Sequence, residues 1–271
     1  MAKKIALMEK NKIEDISSII PKTDVFVYNK IGEEVFLSSR GPNKVIVSGS
    51  AFTMAKHFNM KPNIWTPSYN TVLQLDNSVY EEYEGPGIRK EEQVFLFAMG
   101  NDGCGRESRQ KYPVEYTKWI APENLVPFRY KLSSDDISES LRDKYFGRKD
   151  DGKHIAYYFK KFDAKPVFKQ QYTDGTPIDE NIYSSERTDK VDSYVELKMS
   201  INRDDCREFY EATTGLADAR VSSLSLLTAW EKEIDGHIYY QDIRPLTKIH
   251  FKNEDLDEKD KELIIVYHIY Y

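Results

Sequence analysis

Cysteine is scarce in this sequence, which contains only Cys104 and Cys206 in 271 residues. Two cysteines so far apart cannot form the disulfide framework of a small secreted domain. A chain of this length also buries enough surface to fold without covalent links. The pattern favours two unpaired thiols in a reducing compartment and leaves a single disulfide bond open.

Long apolar runs and an excess of positive charge are also missing. No stretch approaches the ~18 consecutive apolar residues of a membrane-spanning helix. Glu9 and Lys10 interrupt the apolar residues at the N-terminus, so we expect no signal peptide. The formal net charge is -6, whereas nucleic-acid binding requires a clustered basic face. We therefore expect neither a membrane nor a nucleic acid as a partner.

Motifs for catalysis, cofactors or metals are absent from the sequence. Gly49 and Ser50 lie between a strand-like and a helix-like segment, but the spacing of a P-loop is missing. The acidic groups near Asp76 and Asp174 lack the spacing of an EF-hand. None of the five histidines lies in a recognisable catalytic motif. We expect no catalytic, cofactor-binding or metal-binding residues and no enzyme activity.

Cys104 is the one alternative to that expectation. It lies between Gly103 and Gly105 and next to Asp102 and Arg106, in a polar loop that follows an apolar strand. A cysteine in such surroundings can act as a nucleophile if a distant histidine is brought beside it. A cysteine-dependent hydrolase or transferase therefore remains open against the simpler interpretation as a structural turn.

Strand-forming segments separated by turn residues are what the sequence has in abundance. The strand-like ranges are 24–29, 34–37, 44–50, 93–100, 154–162, 166–172, 194–201, 224–230, 239–251 and 263–271. Helical spacing occurs at 13–20, 51–58, 133–145 and 204–216. Many strands at such intervals predict a mainly β fold, a β-sandwich with a few short helices and long irregular loops.

One of the predicted helices carries several helix signals. Ile137, Leu141 and Tyr145 are spaced four residues apart, serines at 133–134 are N-cap candidates, and Gly147 is a candidate for the residue that ends the helix. These signals predict a helix at 133–145.

The domain organisation follows from the order of these segments. We predict an N-terminal arm or helix at residues 1–22 and a single β-sandwich-type domain at 23–271. The stretch at about 59–185 begins with an irregular region rich in proline, glycine and aromatic residues. We interpret 59–185 as a large insertion between two halves of the sandwich.

Aromatic residues are abundant, with 19 tyrosines and 13 phenylalanines. Tyrosine is favoured where proteins contact one another, because its ring buries apolar area while its hydroxyl keeps a hydrogen bond. Several aromatic residues lie in the loop-like parts of the predicted insertion. The candidate partner-contact residues are Trp65, Tyr69, Tyr80, Tyr83 and Trp119. Trp65, Tyr69 and Trp119 also suit an alternative, the stacking of sugar rings in a carbohydrate- or ligand-binding module.

The closing part of the chain carries a recognisable order of segments. A strand at 194–201 is followed by an acidic segment ending in Gly-Leu at 211–216, and by an Ile-Arg-Pro-Leu-Thr-Lys-Ile segment at 243–249. A terminal strand of alternating apolar and aromatic residues completes the chain at 263–271. This order resembles structural proteins of tailed bacteriophages, and the strand at 43–50 is similar to the opening strand of such proteins. The resemblance does not extend to 59–185.

The resemblance implies a non-enzymatic structural subunit of a phage particle: a capsid accessory, a head-tail neck protein or a tail or baseplate component. It also implies that the partners are other virion proteins and copies of the same chain. The expected location is the virion, after synthesis in the host cytoplasm. The terminal strand should pair within its own sheet.

Overall fold

Two antiparallel β-sheets form the body of the protein in the computed structural model. The structure describes residues 22–29, 34–36, 52, 55–56, 59–60, 68–76, 83, 85, 88–101, 125–172, 174–178, 191–256 and 262–270. The chain is mainly β, as predicted, and its two sheets form a sandwich-like fold. The predicted helix at 13–20 and the predicted strand at 44–50 lie outside the described residues.

Twelve strands are present in the described part of the chain. They are β1 (Lys22–Asn29), β2 (Glu34–Phe36), β3 (Gln93–Gly100), β4 (Leu125–Val126), β5 (Arg129–Leu132), β6 (Tyr145–Asp150), β7 (His154–Lys161), β8 (Val167–Tyr172), β9 (Val191–Asn202), β10 (Arg220–Ile234), β11 (His237–Asp255) and β12 (Glu262–Tyr270). The helices are α1 (Tyr69–Val72), α2 (Glu139–Arg142) and α3 (Arg203–Ala212), and Leu216–Asp218 forms a 3-10 turn.

The smaller sheet has the strand order β2-β1-β12-β9-β8. The larger sheet has seven strands, in which β11-β10-β3-β7-β5 form the main path, β4 pairs with β3 and β6 pairs with β7. The terminal strand β12 lies between β1 and β9, with Ile265 opposite Val27 on one side and opposite Met199 on the other. The expectation that the terminal strand pairs within its own sheet is confirmed.

The sheets pack against each other through alternate residues of their strands. Every second residue from Leu197 to Ile201 on β9 and from Leu263 to Ile269 on β12 is buried. Successive strand residues point to opposite faces, so these residues share one face. They join Phe97 and Met99 of β3 in a continuous apolar core.

The larger sheet is buried on its second face as well. Leu96 and Ala98 of β3 point away from the first core and pack with Phe159 in a second apolar cluster. Residues 68–76, which we call the bridging segment, cover this cluster. Its Tyr69 ring stacks on Phe159 with a centroid distance of 5.7 Å. Burial on both faces explains why the β3 sequence is one continuous apolar run.

The bridging segment also joins two strands of the larger sheet. The Asn70 side chain donates to the Tyr240 carbonyl at 3.3 Å and accepts from the Ile243 N–H at 3.0 Å, both on β11. The Asp76 N–H donates to the Arg148 carbonyl of β6 at 2.8 Å. Since β11 and β6 lie at the two borders of the sheet, the segment satisfies backbone groups at both.

The predicted insertion at about 59–185 is instead part of both sheets. It supplies six strands, from β3 to β8, and β3 lies at the centre of the larger sheet beside β10. The interpretation of two halves separated by an insertion is therefore wrong. The predicted boundary between an arm and the domain at residue 22 falls on the first residue of β1, and residues 1–21 lie outside the described residues.

The predicted helix at 133–145 is also corrected. Only Glu139–Arg142 is helical, and Tyr145 begins β6, where it pairs with Lys160. Gly147 does not end the helix but lies within β6 at a φ of 68°. A Cβ atom there would lie 2.3 Å from the Phe159 ring, so the strand needs glycine at this position. Residues from Tyr145 onward form a strand and not a helix, because they pair with β7.

Candidate functional site

A cleft of about 300 Å³ lies at the border of the larger sheet. It is bounded by β6, the end of α2, the bridging segment and the first residues of β11. Aromatic side chains make up much of its wall. They are Tyr145, Phe146, Tyr157, Tyr239 and Tyr240.

Two of these aromatic residues hold the borders of the sheet together. The rings of Phe146 on β6 and Tyr240 on β11 meet edge to face with centroids 4.6 Å apart. Edge-to-face contacts of this kind stabilise aromatic pairs beyond the area they bury. The cleft therefore has a rigid apolar wall.

The charged wall of the cleft is built around Arg148. Its guanidinium forms ion pairs with Asp76, with Asp136 at 3.2 Å and with Asp150 at 3.2 Å. Burial disfavours the ionised Asp136 carboxylate, but hydrogen bonds from the Tyr157 hydroxyl, the Ile137 N–H and Arg148 outweigh this effect and lower its pKa. Because Arg148 already has three carboxylate partners, we assign it a structural role.

Other polar side chains at the cleft are more exposed. Arg142, Asp143 and His237 lie at its rim and are exposed to solvent. Together with the aromatic wall they suit a small molecule that stacks on a ring and makes polar contacts at its ends. Among the described lining residues there is no serine or cysteine that could act as a nucleophile.

The outer edge of the smaller sheet forms a second notable surface. Phe168 on β8 has 64 % of its surface exposed, and its neighbour Val167 is also exposed. Val191 at the start of β9, opposite Tyr172, is a further exposed apolar residue of the same two strands. Apolar side chains on an edge strand are unusual in a monomer, because the edge offers backbone groups to any other strand. We call residues 167–169 the β8 edge.

The backbone of β8 is covered over part of its length only. The Gln170 carbonyl accepts from the Ile178 N–H at 3.1 Å, and the Tyr172 N–H donates to the Thr176 carbonyl at 2.9 Å. Backbone groups of a paired strand alternate between its two sides, so the N–H and C=O of Phe168 point outward like those of Gln170. Within the described part of the chain, no strand lies on that side of the β8 edge.

The charge nearest to the β8 edge is neutralised within the sheet. Lys169 Nζ contacts Glu196 Oε2 at 2.9 Å, and His268 Nε2 lies 3.2 Å from the same oxygen. The hydrogen bond from Lys169 is the main cause that lowers the pKa of Glu196 to about 2. Edge lysines usually prevent pairing with another chain, but this lysine is bound to its own sheet.

Glu92 is the centre of a third polar cluster, at the start of β3. It accepts from Thr228 Oγ1 at 3.2 Å and lies 3.4 Å from Arg244 Nη1. Arg244 also pairs with Asp242 at 3.1 Å. Burial raises the pKa of Glu92 to about 7, against the attraction of Arg244 and Lys56.

Of the predicted contact residues, the structure describes Tyr69 and Tyr83. Trp65, Tyr80 and Trp119 lie outside the described residues. Tyr69 is 4 % exposed and packs in the second apolar cluster. Its ring is therefore not accessible to another protein in this conformation. Tyr83 is half-buried, and the Arg89 guanidinium lies 4.9 Å from its ring centroid.

The sequence reasoning missed the β8 edge and the cleft. The sequence predicts a strand at 166–172. The residue pattern of a strand does not indicate whether that strand lies at the edge of a sheet. Val167 and Phe168 look like residues of any half-buried strand. The cleft depends on β6 and β11 approaching each other, although they are about 90 residues apart in sequence.

Of the two cysteines, Cys206 is among the described residues. Cys104 lies outside the described residues, so the alternative of a cysteine nucleophile stays a prediction. Cys206 is a free, buried thiol on α3. Burial raises its pKa to about 12, which makes the thiolate form scarce at neutral pH.

The described ranges contain neither a metal-binding cluster nor a membrane-spanning helix. No group of three or more His, Cys, Asp or Glu residues is placed there to hold a metal ion. No helix of this part of the chain has the length and apolar character needed to span a membrane. Comparison with known proteins found no matching family model, no matching curated protein and no matching solved structure.

Proposed function

We propose that this protein is a non-enzymatic structural subunit that works by associating with other protein chains. In line with the resemblance of its closing segments, we place it in a tailed-phage particle, as a capsid accessory, neck or tail component. The observation that supports association is the β8 edge, where Phe168 exposes 64 % of its surface next to the exposed Val167.

The occupant of this edge is a second copy of the same chain. An antiparallel pair centred on Phe168 lets its outward N–H and C=O bond to the same groups of Phe168 in the other copy, which closes a two-fold interface. The two phenylalanine rings then lie on the same face of the joined sheets. Cross-strand aromatic pairs of this kind contribute about 0.2–1 kcal/mol in addition to the backbone hydrogen bonds.

Charge does not oppose this pairing. Lys169 of each copy approaches the other strand, but Glu196 already binds it at 2.9 Å. The repulsion between the two lysines is therefore compensated within each subunit. The partners of the assembled dimer in a particle are other virion proteins.

Sedimentation velocity of the purified chain tests the proposal. We expect a dimer at micromolar concentrations and a monomer after Phe168→Glu, because two carboxylates would then face each other at the two-fold axis. The matched control is Leu132→Glu, since Leu132 is a similarly exposed apolar residue of β5 in the other sheet. The control variant should remain dimeric.

Two results would contradict the proposal at different levels. A wild-type chain that stays monomeric, or a Phe168→Glu variant that still dimerises, rules out the β8 edge as the interface. Absence of the chain from purified phage particles, measured by mass spectrometry of virions, rules out the phage role even if the dimer forms.

A second candidate function is binding of a small ligand or carbohydrate in the cleft. It is favoured by the aromatic wall and the exposed polar side chains at its rim. A glycan array and a thermal-shift screen of small metabolites test it, with Tyr239→Ala as the variant that removes an aromatic wall residue. No signal in either screen, or a signal that Tyr239→Ala leaves unchanged, counts against the cleft as the site.

A further inference from the structure

Lys160 and Asp205 form an ion pair in the interior of the protein. Lys160 lies on β7 and Asp205 in the first turn of α3, 45 residues further along the chain. The Nζ atom lies 2.8 Å from Oδ2, and both side chains are 0 % exposed. An isolated charge of either kind is costly to bury, so each side chain depends on the other.

The other partners of the pair are few and well defined. Lys160 Nζ also donates to the Ser200 carbonyl at 2.7 Å. The Tyr145 hydroxyl donates to Asp205 Oδ1 at 2.7 Å, and the Asn202 N–H donates to Oδ2 at 3.0 Å. Each carboxylate oxygen thus has a hydrogen-bond donor of its own besides the amine.

Apolar rings surround the amine. The Phe97 and Phe128 rings each have their centroid 5.9 Å from Lys160 Nζ, and both side chains are fully buried. A fully buried site lowers the cost of moving a proton from the ammonium to the carboxylate, because the charged forms lose their contact with solvent. The neutral amine that results is a nucleophile next to a neutral carboxylic acid.

We propose that Lys160 and Asp205 condense to an intramolecular amide bond between Nζ and Cγ. The ammonium first gives one proton to Oδ2, which leaves a neutral amine and a carboxylic acid. The amine lone pair then forms the N–C bond, and the C=O electron pair moves to Oδ1. A second proton passes from nitrogen to the Oδ2 hydroxyl, the C–Oδ2 bond breaks, and one water molecule leaves.

The neighbouring groups suit each step of this reaction. The Tyr145 hydroxyl is placed at Oδ1, where negative charge develops in the tetrahedral intermediate, and acts there as an oxyanion donor. The one proton that stays on nitrogen keeps its hydrogen bond to the Ser200 carbonyl. No reagent besides the two side chains is required.

Proximity lowers the barrier to this reaction. Amide formation in water is limited by the entropy of bringing two molecules together, whereas groups held in contact reach effective molarities of ~10⁵–10⁸ M. The reaction occurs once in each chain and is not catalytic turnover. Burial then protects the product, because hydrolysis would require water at the same site.

The bond would connect the two sheets covalently. β7 belongs to the larger sheet, while α3 directly follows β9 of the smaller sheet. A structural subunit gains resistance to forced unfolding from such a link. The inference stands on the Lys160–Asp205 contacts and does not depend on the proposed function.

Intact-mass spectrometry of the purified, unfolded wild-type chain tests the proposal. We expect a mass lower than that of the sequence by one water molecule, and a tryptic peptide in which the Lys160 and Asp205 segments are joined. The full mass of the sequence would overturn the proposal. A lost water located instead at an Asp-Gly step such as Asp235–Gly236, where a succinimide can form, would also overturn it.

Three variants give independent readouts. Asp205→Asn should lose one ammonia instead of one water, since the amide nitrogen then leaves in place of Oδ2. Lys160→Met should keep its full mass, and the control Lys161→Met, which removes the partly exposed neighbouring amine, should lose one water like the wild type. Loss of water from Lys160→Met would contradict the assignment, and this measurement does not require that the variant be folded.

Discussion

Glu92 is a carboxyl group that the fold places in an environment which disfavours its charge. The side chain is 2 % exposed, and the charged groups that face it are Arg244, Asp242 and Lys56. Burial raises its pKa from 4.5 to about 7 despite the two positive charges. The folded protein therefore binds the proton of Glu92 more tightly than the unfolded chain does.

The raised pKa of Glu92 makes the free energy of unfolding depend on pH. Between the unfolded pKa of 4.5 and the folded pKa of about 7, the folded state holds more protons, so the free energy of unfolding falls as the pH rises. The full stabilisation is present below the unfolded pKa, and the loss is complete above the folded pKa. From the shift we expect a loss of about 2–3 kcal/mol between about pH 5 and about pH 8.

Glu92→Gln should remove this dependence, since glutamine keeps a side-chain oxygen for Thr228 but does not ionise. Urea unfolding of the variant and the wild type at about pH 5 and about pH 8 measures the difference. Glu91→Gln is the matched control, because Glu91 is the exposed neighbour, and it should behave like the wild type. Equal pH dependence of the wild type and Glu92→Gln would show that Glu92 ionises normally in the fold.

At the scale of single residues the sequence predicts chemistry poorly. The tyrosines predicted as contacts include Tyr69, which packs on Phe159 in the second core. An aromatic side chain favours burial and partner contacts for the same physical reason, so its type does not decide between them. Glu92 and Lys160 are likewise indistinguishable from surface charges until the strands are in place.

Among the secondary elements, the bridging segment has a role out of proportion to its length. Its Asn70 side chain is buried and occupies the place of a strand beside β11, where it binds one carbonyl and one N–H of the backbone. An asparagine amide can do this because it offers one donor group and one acceptor, as a peptide group does.

Asn70→Ala should destabilise the protein by about 2–4 kcal/mol, because two buried backbone groups of β11 lose their partner. Thermal unfolding measures the loss, and hydrogen exchange should report faster exchange of the Ile243 N–H. Thr71→Ala is the control, since Thr71 is exposed on the same helix, and we expect a change within about 0.5 kcal/mol. An Asn70→Ala variant as stable as Thr71→Ala would mean that the segment does not hold the border of the sheet.

The predicted secondary structure is correct where a segment is buried on both faces, and it is wrong where pairing with another strand determines the conformation. The prediction of a strand at 93–100 is confirmed by β3, since a run buried on both faces must be apolar throughout. The predicted helix at 133–145 is wrong, because β7 offers backbone hydrogen bonds to residues from Tyr145 onward. The spacing of residues within a segment carries no information about a partner strand that comes later in the chain.

The whole molecule depends on contacts between its two sheets. Tyr267 of β12 is fully buried, and its hydroxyl donates to Thr247 Oγ1 of β11 at 2.7 Å. This hydrogen bond crosses the core from the smaller to the larger sheet. Because one apolar core contains residues of both sheets, neither sheet can keep its buried face without the other.

Tyr267→Ala should therefore weaken both sheets together. We expect a loss of about 3–5 kcal/mol and a single cooperative transition. Hydrogen exchange of amides in β10 and in β12 should show the same loss of protection. Ile264→Ala on the outer face of β12 is the control, with a much smaller loss, since Ile264 is already exposed. Separate transitions of the two sheets in Tyr267→Ala would show that they fold as independent units.

The sequence by itself determined the fold class and the position of most strands, because alternation and continuous apolar runs follow from which faces of a strand are buried. Only the tertiary structure decided the order of the strands, which leaves β8 at an edge and β12 in the middle of its sheet. It also brought Lys160 to Asp205 and joined β6 to β11 around the cleft. These features depend on contacts between distant segments, and strand pairing and core packing select such contacts only when the whole chain has folded.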